Sequence, residues 1–416
     1  MRAVGLITEY NPFHNGHRYH LQQSRLQGEA DVCVAVMSGH FLQRGEPALL
    51  DKWLRAQMAL EAGVDLLVEL PLPWACNSAP LFADGALFCL QQLQVDALCF
   101  GSESGSLSEL QRGADWLRAH SDLIGTESRR LLRQGKTWPQ ARAIVAEQFD
   151  ADPSILEVLW HPNNILGLEY LRALAETDAP ITASTIKRIG AGYHEESVVN
   201  DLASATGIRL RVARGEAVGS FMPDAAASIL TDAQQAGMTV DAEILYRLQL
   251  YALQEDGKGL DHIYQVANGV GRRLQGAAAE ATDYATLVDR VKSRQLTRTR
   301  IQRLLTYVLL GLDAVLMNEM LDCGPLYLHL LGQSRVGESF LSAKRKQIEL
   351  PLVSNYSRVQ SQLKRHYEGD PERLRLAEEQ LRLELRASRI YSLLLPGFCR
   401  QNRNRDYFQS VIRVNS

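Results

Sequence analysis

Four short apolar runs constrain the fold of the first half of this chain more than any other feature. They are AVGLIT at 3–8, DVCVAVMSG at 31–39, VDLLVELP at 64–71 and VDALCFGSE at 95–103. Segments of helical spacing separate them: GHRYHLQQSRLQ, PALLDKWLRAQMALEAG and APLFADGALFCLQQLQ. Short all-apolar strands alternating with helices predict an α/β fold, a parallel sheet covered on both faces. Such sheets bind ligands outside the carboxyl ends of their strands. The strand ends GLITEYNPFH, VMSGHFLQRG, ELPLP and CFGSESG are therefore expected to converge in space.

The alternation continues through HPNNILGLEYLRALAE, the strand-like ITASTIKRIGAGYH and the helix-like LASATGIRLRVARG. After about Gly215 strands are expected to be largely absent. DAEILYRLQLYALQ, DYATLVDRVKSRQLTRTRIQRLLTYVLLGL and DPERLRLAEEQLRLELRASRIYSLLL each read as a helix. A chain of 416 residues is long for one core. Two domains are expected, 1–215 and a mainly α-helical 216–416.

A formal net charge of -3 excludes a molecule that is basic all over, so any nucleic-acid contact has to come from a local patch. Cys33, Cys76, Cys89, Cys99, Cys323 and Cys399 form no C-x-x-C pair, which predicts reduced thiols rather than a zinc site. Glu9 and Pro12 interrupt the first apolar run too early for a signal peptide. LLTYVLLGLDAVLM is short for a membrane span and carries Asp313. It reads as a core helix of a cytoplasmic protein.

The first strand runs into EYNPFHNGH, with His14 and His17 flanking Asn15 and Gly16. A tight turn opening a helix offers free backbone N–H groups to an anion. Glycine lets the backbone approach a nucleotide, and imidazoles donate to phosphate oxygens. Charge that develops on phosphate in adenylyl transfer needs such donors. The pattern suits attack on an α-phosphate with pyrophosphate leaving. The same histidines are equally readable as turn and cap residues. Zinc held by His14, His17 and His20 is weaker, because no second cluster completes a site.

These strings resemble a known family. HNGH after the first strand is similar to the HIGH motif of the nucleotidyltransferase superfamily, whose Rossmann-like (HUP-type) domain is shared with class I aminoacyl-tRNA synthetases. GLITEYNPFHNGHRYH, MSGHFLQRGEPALLDKW, LPLPWACNSAPLFADGA, FGSESG, HPNNILGLEYLRAL and TIKRIGAGYH, in that order, resemble the tRNA(Met) cytidine acetate ligase family over nearly all of 1–210. The likeness continues more loosely into KSRQLTRTRIQRLL.

The resemblance implies an ATP-dependent ligase. Acetate would be activated as acetyl-adenylate with release of pyrophosphate, and the N4 amine of the wobble cytidine of elongator tRNA(Met) would then be acetylated. It implies that His14 and His17 act in catalysis. ATP would be wrapped by Ile7, Thr8, Glu9, Tyr10, Asn11, Pro12, Phe13, His14, Asn15, Gly16, His17, Arg18, Tyr19 and His20. Positions matching Gly101, Asn163 and Arg188 would also touch the nucleotide.

The residues themselves agree in type. Gly101 ends a strand, though a turn glycine would look the same. Asn163 and Asn164 can bond adenine edges or cap a helix. Arg188 can pair with phosphate in a bidentate way; Lys187 can pair with phosphate too, or be a solvated side chain. SATGIR resembles a second phosphate motif, with Ser204 and Arg209 as phosphate ligands; Ser204 is equally readable as an N-cap. Lys52 and Arg44 could neutralise phosphate, face RNA, or pair with Glu46 and Asp51. Mg²⁺ is expected with ATP, without an assignable carboxylate.

Lys292, Arg294, Arg298, Arg300 and Arg303 crowd one expected helix and its approach, interleaved with hydroxyls. That mixture suits phosphate contacts, although a solvated helix face carries the same residues. Arg403 and Arg405 form a weaker candidate. His40 stands where the family often has Asn, and NGVGRRL at 268–274 replaces a usual family string. An adenylyltransferase with a small-molecule acceptor, or an idle RNA-binding scaffold, are the alternative readings. Oligomeric state is not legible.

Overall fold

The computed structural model describes residues 1–134, 136, 138–149, 151–177, 180–188, 203–254, 259–293 and 296–414. Its centre is a sheet of eight strands. They are β1 (Ala3–Thr8), β2 (Val32–Ser38), β3 (Leu66–Leu70), β4 (Ala97–Ser102), β5 (Thr182–Lys187), β6 (Leu328–Ser334), β7 (Leu352–Val353) and β8 (Ile412–Val414). The order is β5-β4-β1-β2-β3-β6-β7, with β8 beside β6. The first five strands pair in parallel. All seven residues of β2 and all five of β3 are buried, as strands covered on both faces require.

This order contains a switch point. From β1 the chain moves to β2 and β3 on one side, then returns to place β4 and β5 on the other. The connections leaving β1 and β4 therefore diverge and leave a crevice above their carboxyl ends. Helix α1 (Asn15–Gln27) follows β1, and α2 (Lys52–Glu61) lies between β2 and β3.

Two expectations change. Strands are few after Gly215, as expected, but they are not separate from the first sheet: β6 pairs antiparallel with β3, and β7 and β8 join β6. The late segment 328–334 is wholly buried and completes the sheet of the early half, so the sheet itself crosses the expected boundary at 215/216. The long basic segment is also two helices, Tyr284–Val291 and Arg298–Leu310. Lys292 caps the end of the first, and the Thr297 side chain accepts from Arg300 N to start the second. The apolar 304–317 run is likewise cut. Gly311 takes a left-handed φ of 57° and Asp313 caps a new helix.

The helices between 242 and 312 bury their own apolar cluster, which also takes in Phe41, Leu72 and Cys76 from the sheet's strand ends. Among the described residues no helix is long and apolar enough to cross a membrane. The six cysteines are free thiols, four of them buried.

Candidate active site

A cavity of about 310 Å³ opens above the ends of β1, β4 and β5. It lies at the switch point. Ile7, Thr8, Glu9, Tyr10, His14, Gly16, His17, Tyr19 and His20 line it from β1, the turn and α1. Gly101, Asn163, Lys187, Arg188 and Ser204 line it from the opposite side.

His14 is the N-cap of α1. Its Nδ1 accepts from Gly16 N at 3.0 Å, and His17 Nδ1 accepts from His14 N at 3.3 Å. The pair forms a reciprocal capping box built from imidazoles. So the cap reading and the phosphate reading describe the same two side chains. A neutral imidazole whose Nδ1 accepts carries its proton on Nε2. Both rings thus keep an Nε2–H donor for a ligand. The rings stack with centroids 3.7 Å apart at 27°. His17 is held edge-on by Tyr10 at 5.0 Å and beside Phe13 at 5.5 Å. Gly16 is required by the ring itself: an added Cβ would stand 2.8 Å from His14 Cε1.

Burial pushes the His14 imidazole down to about 3, with the Arg188 and Arg209 charges acting in the same direction. His20 is pushed down to about 4 by burial and by Arg188. His17 is lowered as well, by burial and then by His14. These rings are neutral donors at neutral pH. A stability consequence follows. An unfolded histidine takes a proton below 6.5, whereas folded His14 takes one only near 3. The stability it contributes is complete above 6.5 and is lost as pH falls. At pH 5 the loss is expected to be about 1–2 kcal/mol for His14. Urea unfolding at pH 7 and pH 5 reads it, and His14→Gln should show the smaller drop; an equal drop in both proteins would contradict the assignment.

The opposite wall is set by reciprocal bonding. Glu103 Oε1 accepts from Asn163 N at 3.1 Å and Asn163 Nδ2 at 2.6 Å, while its Oε2 accepts from Asn164 N at 2.7 Å. Asn164 Oδ1 in turn accepts from Glu103 N at 2.8 Å and Ser104 N at 3.2 Å. Glu103, rather than either asparagine, thereby caps the Pro162–Glu176 helix, whose N-cap His161 makes no side-chain bond of its own. Gly101 lies within β4, paired with Ile186, so it is not a turn glycine. A Cβ there would reach 3.4 Å from Arg188 Cγ and 3.9 Å from His20 Cδ2.

Ser204 caps the Ala205–Ala213 helix, accepting from Gly207 N at 3.0 Å, and lines the cavity as well. Arg209 is outside the lining, but it donates to Asn11 O at 2.9 Å, on the far side of the histidine turn. Asn11, Pro12, Phe13, Asn15 and Arg18 do not line the cavity. Asn11 Oδ1 accepts from Leu49 N at 2.7 Å, Phe13 is wholly buried, Asn15 Nδ2 donates to Ser220 O at 3.0 Å, and Arg18 is exposed. They shape the turn from behind.

Some lining residues have no motif. Phe82, Phe100, Leu166 and Tyr170 supply an apolar wall, and Gln43 and Arg44 come from the loop after β2. The strand-end argument pointed to that loop, but nothing in the spacing of Phe82 or Tyr170 separates a cavity wall from a core face. Lys52 faces neither phosphate nor RNA, against expectation. It is fully buried, 2.8 Å from Glu69 and 3.1 Å from Asp406, and does not line the cavity.

On the basic helices Lys292, Arg298 and Arg300 are exposed. Arg298 lies 3.8 Å from Asp289, so an acidic neighbour does approach the run. Arg303 is half-buried, with its guanidinium 3.4 Å from Gln43 O. Arg294 lies outside the described residues. Arg405 pairs with Asp51 at 2.5 Å, which removes it from the second basic candidate.

Neutral imidazole donors, a helix start and the cations Arg44, Lys187 and Arg188 face an apolar wall across one cavity. That arrangement can hold a nucleoside triphosphate by its phosphates and its base.

A family model described as HIGH Nucleotidyl Transferase matches residues 1–406. A tRNA(Met) cytidine acetate ligase of Syntrophotalea carbinolica is 51% identical over 100% of both chains. A Bacillus subtilis protein of the same name is 36% identical, covering 94% of this chain and 92% of its own. Two crystal structures of Thermotoga maritima TmcAL, each covering 100% of both chains, are also similar. The apo form has a TM-score of 0.92 at 31% identity, and the form bound with alpha-thio ATP has 0.90 at 32%.

Proposed function

The chain belongs to the HIGH nucleotidyl transferases, and within them to the tRNA(Met) cytidine acetate ligase family, and from that premise we propose that it joins acetate to a tRNA(Met) cytidine through acetyl-adenylate. ATP occupies the cavity, its triphosphate across the start of α1 and its base toward the apolar wall. An acetate oxygen attacks the α-phosphorus and pyrophosphate leaves. The N4 amine of the wobble cytidine of elongator tRNA(Met) then attacks the acyl carbon, AMP leaves, and the amine loses a proton. His14 and His17 donate from Nε2 to the α-phosphate as negative charge builds on it. Arg188, Lys187 and Arg209 balance the remaining phosphates, with Ser204 at the second helix start. The cytosine is presented unpaired, because a paired base hides its amine.

Among the described residues no group of three or more His, Cys, Asp or Glu side chains could hold a metal ion. Mg²⁺ bound with the triphosphate would offset part of its charge. The RNA-facing unit is the helical cluster of 242–312 rather than all of 216–416, with Lys292, Arg298 and Arg300 on its exposed side.

The observation that carries the reading is the imidazole capping box. It directs the proton of each cap imidazole to Nε2, at a helix start that lines the cavity. Acetate-dependent ATP–pyrophosphate exchange, followed by acetyl transfer to purified tRNA(Met), tests it. Exchange with other acids but not with acetate would sink it. The RNA side has its own expected result. Arg300→Ala should weaken tRNA binding and lower the slope of log affinity against log salt by about 0.7–0.9. Filter binding across a salt series reads this, and an unchanged slope would remove Arg300 from the interface.

A further inference from the structure

The loop between β2 and α2 joins the basic helix Arg298–Leu310 to the histidine turn. On the helix side the backbones approach closely and side chains bond across. Gly45 has a φ of +82°, and a Cβ there would stand 2.2 Å from Arg303 N. Thr306 Oγ1 donates to Gly45 O at 2.7 Å, and Gln302 Nε2 donates to Glu46 Oε1 at 2.6 Å. On the cavity side, Gln43 N donates to Glu9 Oε1 at 2.8 Å and Leu49 N to Asn11 Oδ1 at 2.7 Å. The loop is braced internally by Leu42 N to Glu46 O at 2.9 Å and Ala48 N to His40 O at 2.9 Å. These bonds cross-brace it between its two attachments.

Glu46 belongs to both sides. Its Oε2 lies 3.8 Å from the Arg209 guanidinium, which itself holds Asn11 O behind the histidine turn. We infer that Glu46 is a positioning residue that couples RNA on the basic helix to the placement of Arg209, and through it of the histidine turn that Arg209 holds from behind, with Gln302 as the link. RNA phosphates drawn to Arg298 and Arg300 bias the helix, the helix carries Gln302 and Gly45, and Glu46 sets Arg209. Equal ATP affinity in the two states would mean no coupling, so the effect has to appear as a change in ATP affinity.

This inference rests on the reading above. Its test uses the full chain and a tRNA(Met) transcript with uridine in place of the acceptor cytidine, which lacks the reacting amine and cannot draw off the adenylate. The KM for ATP in acetate-dependent exchange is measured without transcript and at concentrations shown to saturate by filter binding. The wild type is expected to show a KM at least threefold lower with transcript. Gln302→Ala should keep the transcript-free KM and kcat and lose the response. Glu46→Gln, which still accepts from Gln302 but loses its charge, should raise the transcript-free KM for ATP. A wild type without response, or a Gln302→Ala protein that responds fully, would overturn the coupling alone. No acetate-dependent exchange in the wild type would overturn the ligase reading and the coupling together.

Discussion

Replacing His17 by alanine is expected to lower acetate-dependent ATP–pyrophosphate exchange by about 10²–10³-fold, the usual cost of one preorganised donor to a transition-state oxyanion. The imidazole does two things in the geometry. Its Nδ1 accepts from His14 N, and that bond sends its proton to Nε2. Alanine removes the donor and leaves the first cap bond unmade. His14→Ala should fall in the same range, because its Nδ1 accepts from Gly16 N and its ring stacks on His17. The two losses should not add fully, since each ring orients the other. His17→Asn should recover part of the activity by restoring a donor. Transfer RNA binding should stay near the wild-type value, because the exposed basic residues lie on other helices. If binding, unfolding midpoint and exchange all fall together in His17→Ala, the histidine serves the turn and not the phosphate.

Lys52→Met is expected to destabilise the protein by about 3–5 kcal/mol, the range for removing one partner of a buried ion pair. Lys52 Nζ sits 3.0 and 2.8 Å from the two oxygens of Glu69 and 3.1 Å from Asp406 Oδ1. Burial opposes the ammonium charge, yet Asp406 and Glu69 hold its pKa above the ordinary value. Burial likewise opposes the charge of Glu69, but Lys52 and the His329 hydrogen bond pull that carboxyl down to about 2. Glu384 shows what the site does to a carboxyl without such a partner. Burial, then the charge of Glu69, push it up to about 8, and it stays largely protonated at neutral pH. With Lys52 gone, Glu69 and Asp406 face each other in a dry interior. Their protonation then relieves the repulsion, so the destabilisation should shrink toward acidic pH. Urea unfolding at pH 7 and pH 5 measures both effects. A loss under about 1 kcal/mol at pH 7 would show that water reaches the cluster.

The parallel sheet and the place of the cavity at its strand ends were legible because they depend on local pattern. Short apolar strands, their spacing and the glycine-containing turn after β1 carry the information within windows of ten residues or so. The same local signals marked Ser204 as a cap and Gly101 as a strand end. They failed where the partner was distant. Leu328–Ser334 is a strand because β3 offers it an antiparallel edge, and no periodicity in that segment announces an edge supplied by residues 66–70. Likewise, capping was one of the two readings of Asn163 and Asn164, yet Glu103 does the capping from 60 residues away.

The sequence by itself determined the chemistry of the turn: two histidines, a glycine between them and a helix start after a buried strand. Those residues are neighbours, so their bond lengths and the helix period already bring them together. Only the tertiary structure decided which charges face the cavity. Lys187 and Arg188 meet the cavity because β5 lies next to β4. Lys52, of the same residue type, is buried because Asp406 arrives from the far end of the chain. Charge is a property of the residue, but its solvent and its partner belong to the fold, and a buried cation is stable only where the fold brings it a counter-charge.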